Sequence, residues 1–169
     1  MTQMPDAYPP GRHVSQMPLR LRTIEPVATG RTAFLGRWEG DVERPPQTLR
    51  GYSALAAWLA DVAPSVAAAE LCASLRLFFD NGGQEARVLP LGSVSRVPTH
   101  ADYLAALATL ETPGSVAAVC LPGQTWMAPG NPVVQAAIDQ AERLDDRMVL
   151  VDPPAGLALT DAADVAALE

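Results

Sequence analysis

Apolar residues along the chain fall into two alternating patterns. Four short, nearly continuous runs, TAFLG (32–36), EARVLPL (Glu85–Leu91), SVAAVCL (115–121) and MVLVD (Met148–Asp152), have the length and β-branched content of strands buried on both faces. Between them, apolar positions recur every three or four residues, the period of a helix with one buried stripe. Ser53 is placed to cap ALAAWLADV, and Pro64 interrupts that helix where a new one would start. The next helix, 65–80, aligns Ala68, Leu71, Cys72, Leu75, Phe78 and Phe79 on one stripe. Asn81-Gly82 should end it, because glycine just past a helix end takes the left-handed conformation without steric cost. Gly83 then loosens the turn into EARVLPL. Further helices are expected at 101–110, at 132–145 with Asn131 as N-cap and Pro132 in the first turn, and from Asp161 onward.

Continuous strands alternating with amphipathic helices predict an α/β domain, a mostly parallel sheet flanked by helices, over 31–169. Residues 1–30 carry Pro5, Pro9, Pro10, Pro18 and Pro26 without helical period and read as an extended, Pro-rich N-terminal arm. Such an arm needs a partner surface, and Pro9, Pro10, Gly11 and Val14 are its candidate interface residues.

Composition narrows the chemistry. All twelve basic residues are arginine, against nineteen acids, for a net charge of −7, so the basic footprint of a nucleic-acid binder is missing. The first 50 residues carry a net +2 and the remainder −9. That split can steer head-to-tail association of identical chains, or it can be an ordinary solvated surface. No run approaches the roughly 20 apolar residues of a membrane span, and the start of the chain lacks the apolar core of a signal peptide, so a cytoplasmic location is expected. Cys72 and Cys120 lie in apolar segments and read as buried, reduced thiols.

Without lysine there is no P-loop cation, and no G-x-G-x-x-G follows a strand. Ligands of open parallel sheets bind beyond the strand carboxyl ends, here read as Gly36, Leu91, Leu121 and Asp152, of which only Asp152 is polar. A strand-end aspartate can be catalytic, but Pro153 and Pro154 follow directly, and such a residue often just caps a turn. His13 lies in the arm and His100 at a helix start, with no nucleophile or metal-ligand grouping around either. No catalytic, cofactor or metal site is expected. Trp126 and Met127, in the loop after Leu121, read either as an interface anchor or as packing on the sheet edge.

Taken in order, YPPGRHVSQMPLRLRTIEPVATGRTAFLGRWEG, FFDNGGQEARVL, YLAALATLETPGSVAAVCLPG and DRMVLVDPP resemble the N-terminal half of the contractile tail sheath proteins of bacteriophages and related injection systems. The resemblance spans nearly the whole chain. Its pieces are the Pro-Gly arm, the Thr-x-x-Ala-Phe-x-Gly-like strand with Phe34 and Gly36, the Phe-Phe-x-Asn-Gly-Gly helix end (Phe78, Phe79, Asn81, Gly82, Gly83), and the strand end at Asp152 and Pro153. The loop after Trp38 departs from the family in lacking a Gly-Pro pattern. The family also continues into a large C-terminal domain with a closing arm, which leaves two readings: part of a longer sheath, or a short sheath-like, cap or adaptor form.

The resemblance implies a non-enzymatic structural protein without cofactor. Its partners would be other sheath subunits, the inner tail tube, and a baseplate or cap, joined by arms that add strands to neighbours. Neither nucleic acid nor membrane is expected as a partner. The competing reading is a small cytoplasmic α/β enzyme or ligand-binding domain using the strand-end loops near Asp152.

Overall fold

The computed structural model describes residues 30–126 and 130–153. Five strands form one sheet in the order β2-β3-β1-β4-β5. β1 (Arg31–Arg37) lies at its centre, parallel to β3 (Glu85–Leu91) on one side and to β4 (Ala118–Thr125) on the other. β5 (Met148–Asp152) extends the sheet in parallel beyond β4, and β2 (Gln47–Arg50) closes the other edge antiparallel to β3. The predicted α/β class with a mostly parallel sheet is therefore the observed one.

Side-chain alternation sends each central strand's residues to two separate cores. On the first face, Ala33, Leu35, Leu89, Val119 and Leu121 pack against α4 (His100–Ala108) and α5 (Pro132–Leu144). On the second, Phe34, Leu49, Ala86 and Val88 pack against α1 (Gly51–Leu59) and α3 (Glu70–Asp80), with the short α2 (Pro64–Ala67) joining those two helices. Gly36 lies on this face against Leu71, 3.2 Å from a would-be side chain.

The second core is closed at one end by a cation between rings. The Arg44 guanidinium sits 4.8 Å from the Trp38 ring and 5.2 Å from that of Trp58, and its Nη1 donates to the Trp58 carbonyl at 2.6 Å. The attraction of a cation for ring faces accounts for the placement. Behind the first core, the side chain of Arg147 is withdrawn from water, bonded to Asp146 and donating to the Leu110 carbonyl at 2.6 Å.

Several boundaries differ from those the pattern predicts. β2 carries no sequence signal, because Leu49 is its only buried residue. It runs directly into α1, so the N-cap is Arg50 in extended backbone and not Ser53. The single helix expected over 65–80 is two helices: Ala69 takes an extended conformation at the start of α3, and Ala68 is exposed rather than on the buried stripe. The strand expected at 115–121 lies at Ala118–Thr125, since the preceding residues serve as lead-in and Pro122-Gly123 is absorbed as a register shift against β5. The arm residues Pro9, Pro10, Gly11 and Val14, His13, Met127, and the helix expected from Asp161 lie outside the described residues.

Candidate functional site

On the second face α1 lies over β2 and α3 lies over β1 and reaches part of β4, and among the described residues no helix covers β5 there. The outcome is a groove of about 570 Å³ floored by Thr32, Phe34, Cys120 and Leu150 and walled by the C-terminal half of α3. Six residues of the sheath-like motifs line it: Phe34, Phe78, Asn81, Gly82, Gly83 and Asp152. They come from three distant parts of the sequence and meet only in the fold.

The helix end that forms the wall is built from hydrogen bonds and one ring stack. The Gly83 N–H donates to the Phe78 carbonyl at 2.9 Å and the Gly82 N–H to the Phe79 carbonyl at 3.1 Å, the paired pattern of a Schellman cap, with Gly82 at φ +88°. Asn81 adds a side-chain bond to the Leu77 carbonyl at 2.7 Å. Gly83 does not simply loosen the turn: a Cβ there would collide with the Phe78 ring. That ring is half-buried and stands edge-on to both Phe34 and Phe79, with centroids 5.3 and 5.1 Å away. Phe79 is the buried member of the pair.

At the strand carboxyl ends, Asp152 accepts a hydrogen bond from the Gly123 N–H at 2.7 Å, across the register shift between β4 and β5. The carboxylate thus holds an irregular strand end in place, the capping role open to it from the sequence, and exposed Pro153 follows. With strands ending at Arg37, Leu91, Thr125 and Asp152, Asp152 is not the only polar strand end. The central switch point between β1 and β4 holds a small cleft of about 250 Å³ with Arg37, Glu70, Tyr103 and Gln124 on its walls. There Gln124 donates to the Tyr103 hydroxyl at 3.2 Å and accepts from Asn131 at 3.0 Å.

Burial pushes the thiols of Cys72 and Cys120 up to about 11, which keeps both protonated and unreactive at neutral pH. His100 opens α4 at an exposed position. Among the described residues, no three His, Cys, Asp or Glu side chains gather as metal ligands, and no helix is long and apolar enough to cross a membrane. The loops beyond the strand ends instead present apolar side chains to solvent: Val42 after β1, Val94 and Val97 after β3, and Trp126, 45 % exposed, after β4. Sequence reasoning singled out Trp126 but missed the three valines, whose loops carry no periodic pattern. No family model matches the chain, and no curated protein matches it significantly.

Proposed function

We propose that the chain is a structural assembly subunit resembling the tail sheath of a contractile phage tail or injection system. It would serve as a short sheath-like, cap or adaptor form, or as part of a longer sheath. The observation that carries this reading is the character of the strand-end loops. Around the small Arg37–Glu70 cleft, the loops beyond the strand ends expose Val42, Val94, Val97 and Trp126, apolar side chains of the kind that a contact surface presents. The motif residues support it, since each identifiable task among them is mechanical: closing a helix, seating a ring, holding a strand end. Assembly in the cytoplasm with other sheath subunits, the inner tube, and a baseplate or cap follows from the resemblance.

The test is the assembly state of the purified chain, by sedimentation and negative-stain microscopy, alone and mixed with the tube and sheath proteins encoded nearest to it. Rings, tubes or stable incorporation are expected. A monomer that ignores both partners overturns the reading.

A second reading, a ligand-binding domain, is favoured by the cleft at the β1–β4 switch point, where Arg37 and Glu70 offer opposite charges to a small polar molecule. A metabolite panel read by thermal shift decides it: a hit abolished by Arg37→Ala supports that reading, and a blank panel removes it.

A further inference from the structure

The Asn81-Gly82 step that ends α3 carries a reactivity that its capping role does not use. An asparagine amide can be attacked by the backbone nitrogen of the residue that follows it, and glycine, with no side chain to hinder the approach, is the successor that permits this best. The chain has two asparagines. Asn131 precedes Pro132, whose ring nitrogen has no hydrogen to give up, which leaves Asn81 as the reactive one. Asn81 and Gly82 are both exposed at the helix end.

In the folded helix end the reacting groups are held apart. Asn81 has ψ 16°, which turns the Gly82 nitrogen away from the Asn81 side chain. The Asn81 Nδ2 donates to the Leu77 carbonyl at 2.7 Å, which draws the amide back along the helix. The Gly82 N–H, whose proton must leave for the attack, donates to the Phe79 carbonyl at 3.1 Å. All of these restraints are released together whenever the last turn of α3 opens, and helix ends are where such local openings concentrate.

We infer that Asn81 is a self-modifying site gated by the end of α3: each opening of that turn lets the chain convert the amide irreversibly to a carboxylate. The Gly82 nitrogen bonds to Asn81 Cγ, the Cγ–Nδ2 bond breaks, and ammonia leaves with the Gly82 proton, closing a cyclic imide. Water then opens the imide at either carbonyl. Attack at the side-chain carbonyl gives aspartate, and attack at the original peptide carbonyl gives isoaspartate, whose main chain runs through the former side chain. Neither product can rebuild the cap. A carboxylate only accepts hydrogen bonds, so it opposes the Leu77 carbonyl that the amide bonded, and its charge sits at the negative end of the helix dipole beside Asp80. Isoaspartate also lengthens the backbone ahead of Gly82 and Gly83 and takes the two bonds of the cap out of register. Transient opening thereby becomes permanent loosening of the wall to which Phe78 and Gly83 belong. Water is the co-reactant, and none of this chemistry depends on whether the chain assembles.

Conversion is followed by peptide mapping of the full chain aged at mildly alkaline pH, with the aspartate and isoaspartate forms resolved by chromatography, beside the same chain kept unfolded in urea. Asn81 should convert in the folded chain roughly tenfold or more slowly than in the unfolded one, while Asn131 stays intact. Gly83→Ala, whose methyl meets the Phe78 ring, should raise the folded rate by roughly fivefold to tenfold relative to its own unfolded rate. Thr99→Ala, which removes the cap of α4 on the other face of the sheet, should change that ratio by less than about twofold. In parallel, Asn81→Asp should accelerate hydrogen exchange at the Gly82 and Gly83 amides by roughly tenfold and leave the amides of β1 as they are.

Absence of conversion in the folded chain overturns the inference. So does conversion that is equally fast folded and unfolded, since the helix end would then gate nothing. Equal acceleration by Gly83→Ala and Thr99→Ala would assign the gate to global unfolding and likewise overturn it. Exchange at Gly82 and Gly83 that Asn81→Asp leaves unchanged removes the loosening, and this measurement keeps the inference falsifiable if Gly83→Ala does not fold.

Discussion

Gly82 and Gly83 are adjacent and chemically identical, yet different forces require them. Gly82 needs its left-handed backbone, so Gly82→Val should cost about 1 kcal/mol or more, read from chemical denaturation. Gly83 needs its missing side chain, so Gly83→Ala should displace the Phe78 ring from Phe34 at a cost of about 1–3 kcal/mol, visible in aromatic NMR shifts. The phenylalanines divide in the same way: Phe79→Ala should cost about 3–5 kcal/mol, and Phe78→Ala clearly less, because its ring is only partly withdrawn from water. The stop at Gly82 was legible in the sequence because it obeys a local backbone rule. The tasks of Gly83 and Phe78 were not, since both depend on Phe34, a residue some forty positions away that only the fold brings near.

Elements behave likewise. α3, β3 and α5 were readable because each carries a periodic buried stripe or a strong terminal signal. β2 was not, as a four-residue edge strand with one buried side chain leaves no period to detect. The start of α4 is the clearest cap in the chain. Thr99 and Asp102 bond each other's backbone N–H groups, and Asp102 also pairs with Arg96. Thr99→Ala should cost about 1 kcal/mol by thermal or chemical melting.

The bonds from the Thr99 backbone and hydroxyl, then from Arg96, hold the Asp102 carboxyl below its ordinary value. Arg147 and the Gly114 N–H do the same for Asp146. For a carboxyl whose pKa is lowered by folding, the stabilisation is complete above the unfolded value and is lost as pH falls through the folded one. Stability should therefore decline as pH drops from about 4, and Asp102→Asn with Asp146→Asn should flatten that decline in acid titrations of the melting temperature.

For the molecule as a whole, the sheet and its class were legible because strand and helix periods alternate without ambiguity. The groove was not, because it is defined by what the helices leave uncovered, and no stretch of sequence encodes an absence of neighbours. The charge division between the first 50 residues and the rest is visible in sequence, and its consequence belongs at this scale. If the basic part of one copy meets the acidic body of the next, self-association should weaken steadily between low salt and about 0.15 M, where screening acts over roughly 8 Å. Sedimentation across a salt series measures it, and association that is insensitive to salt would assign the contact to the apolar loops instead.

The cation clamped between Trp38 and Trp58 also gives the molecule an optical property. Its three tryptophans divide into two that are almost completely withdrawn from water around Arg44 and one, Trp126, that is open to it at the strand ends. Emission should accordingly contain a blue, quencher-resistant part that changes only when the second core unfolds, and a red part that acrylamide reaches freely. A neighbour seated on the strand-end loops would shield the red part alone, so one fluorescence titration separates docking from unfolding without any added label.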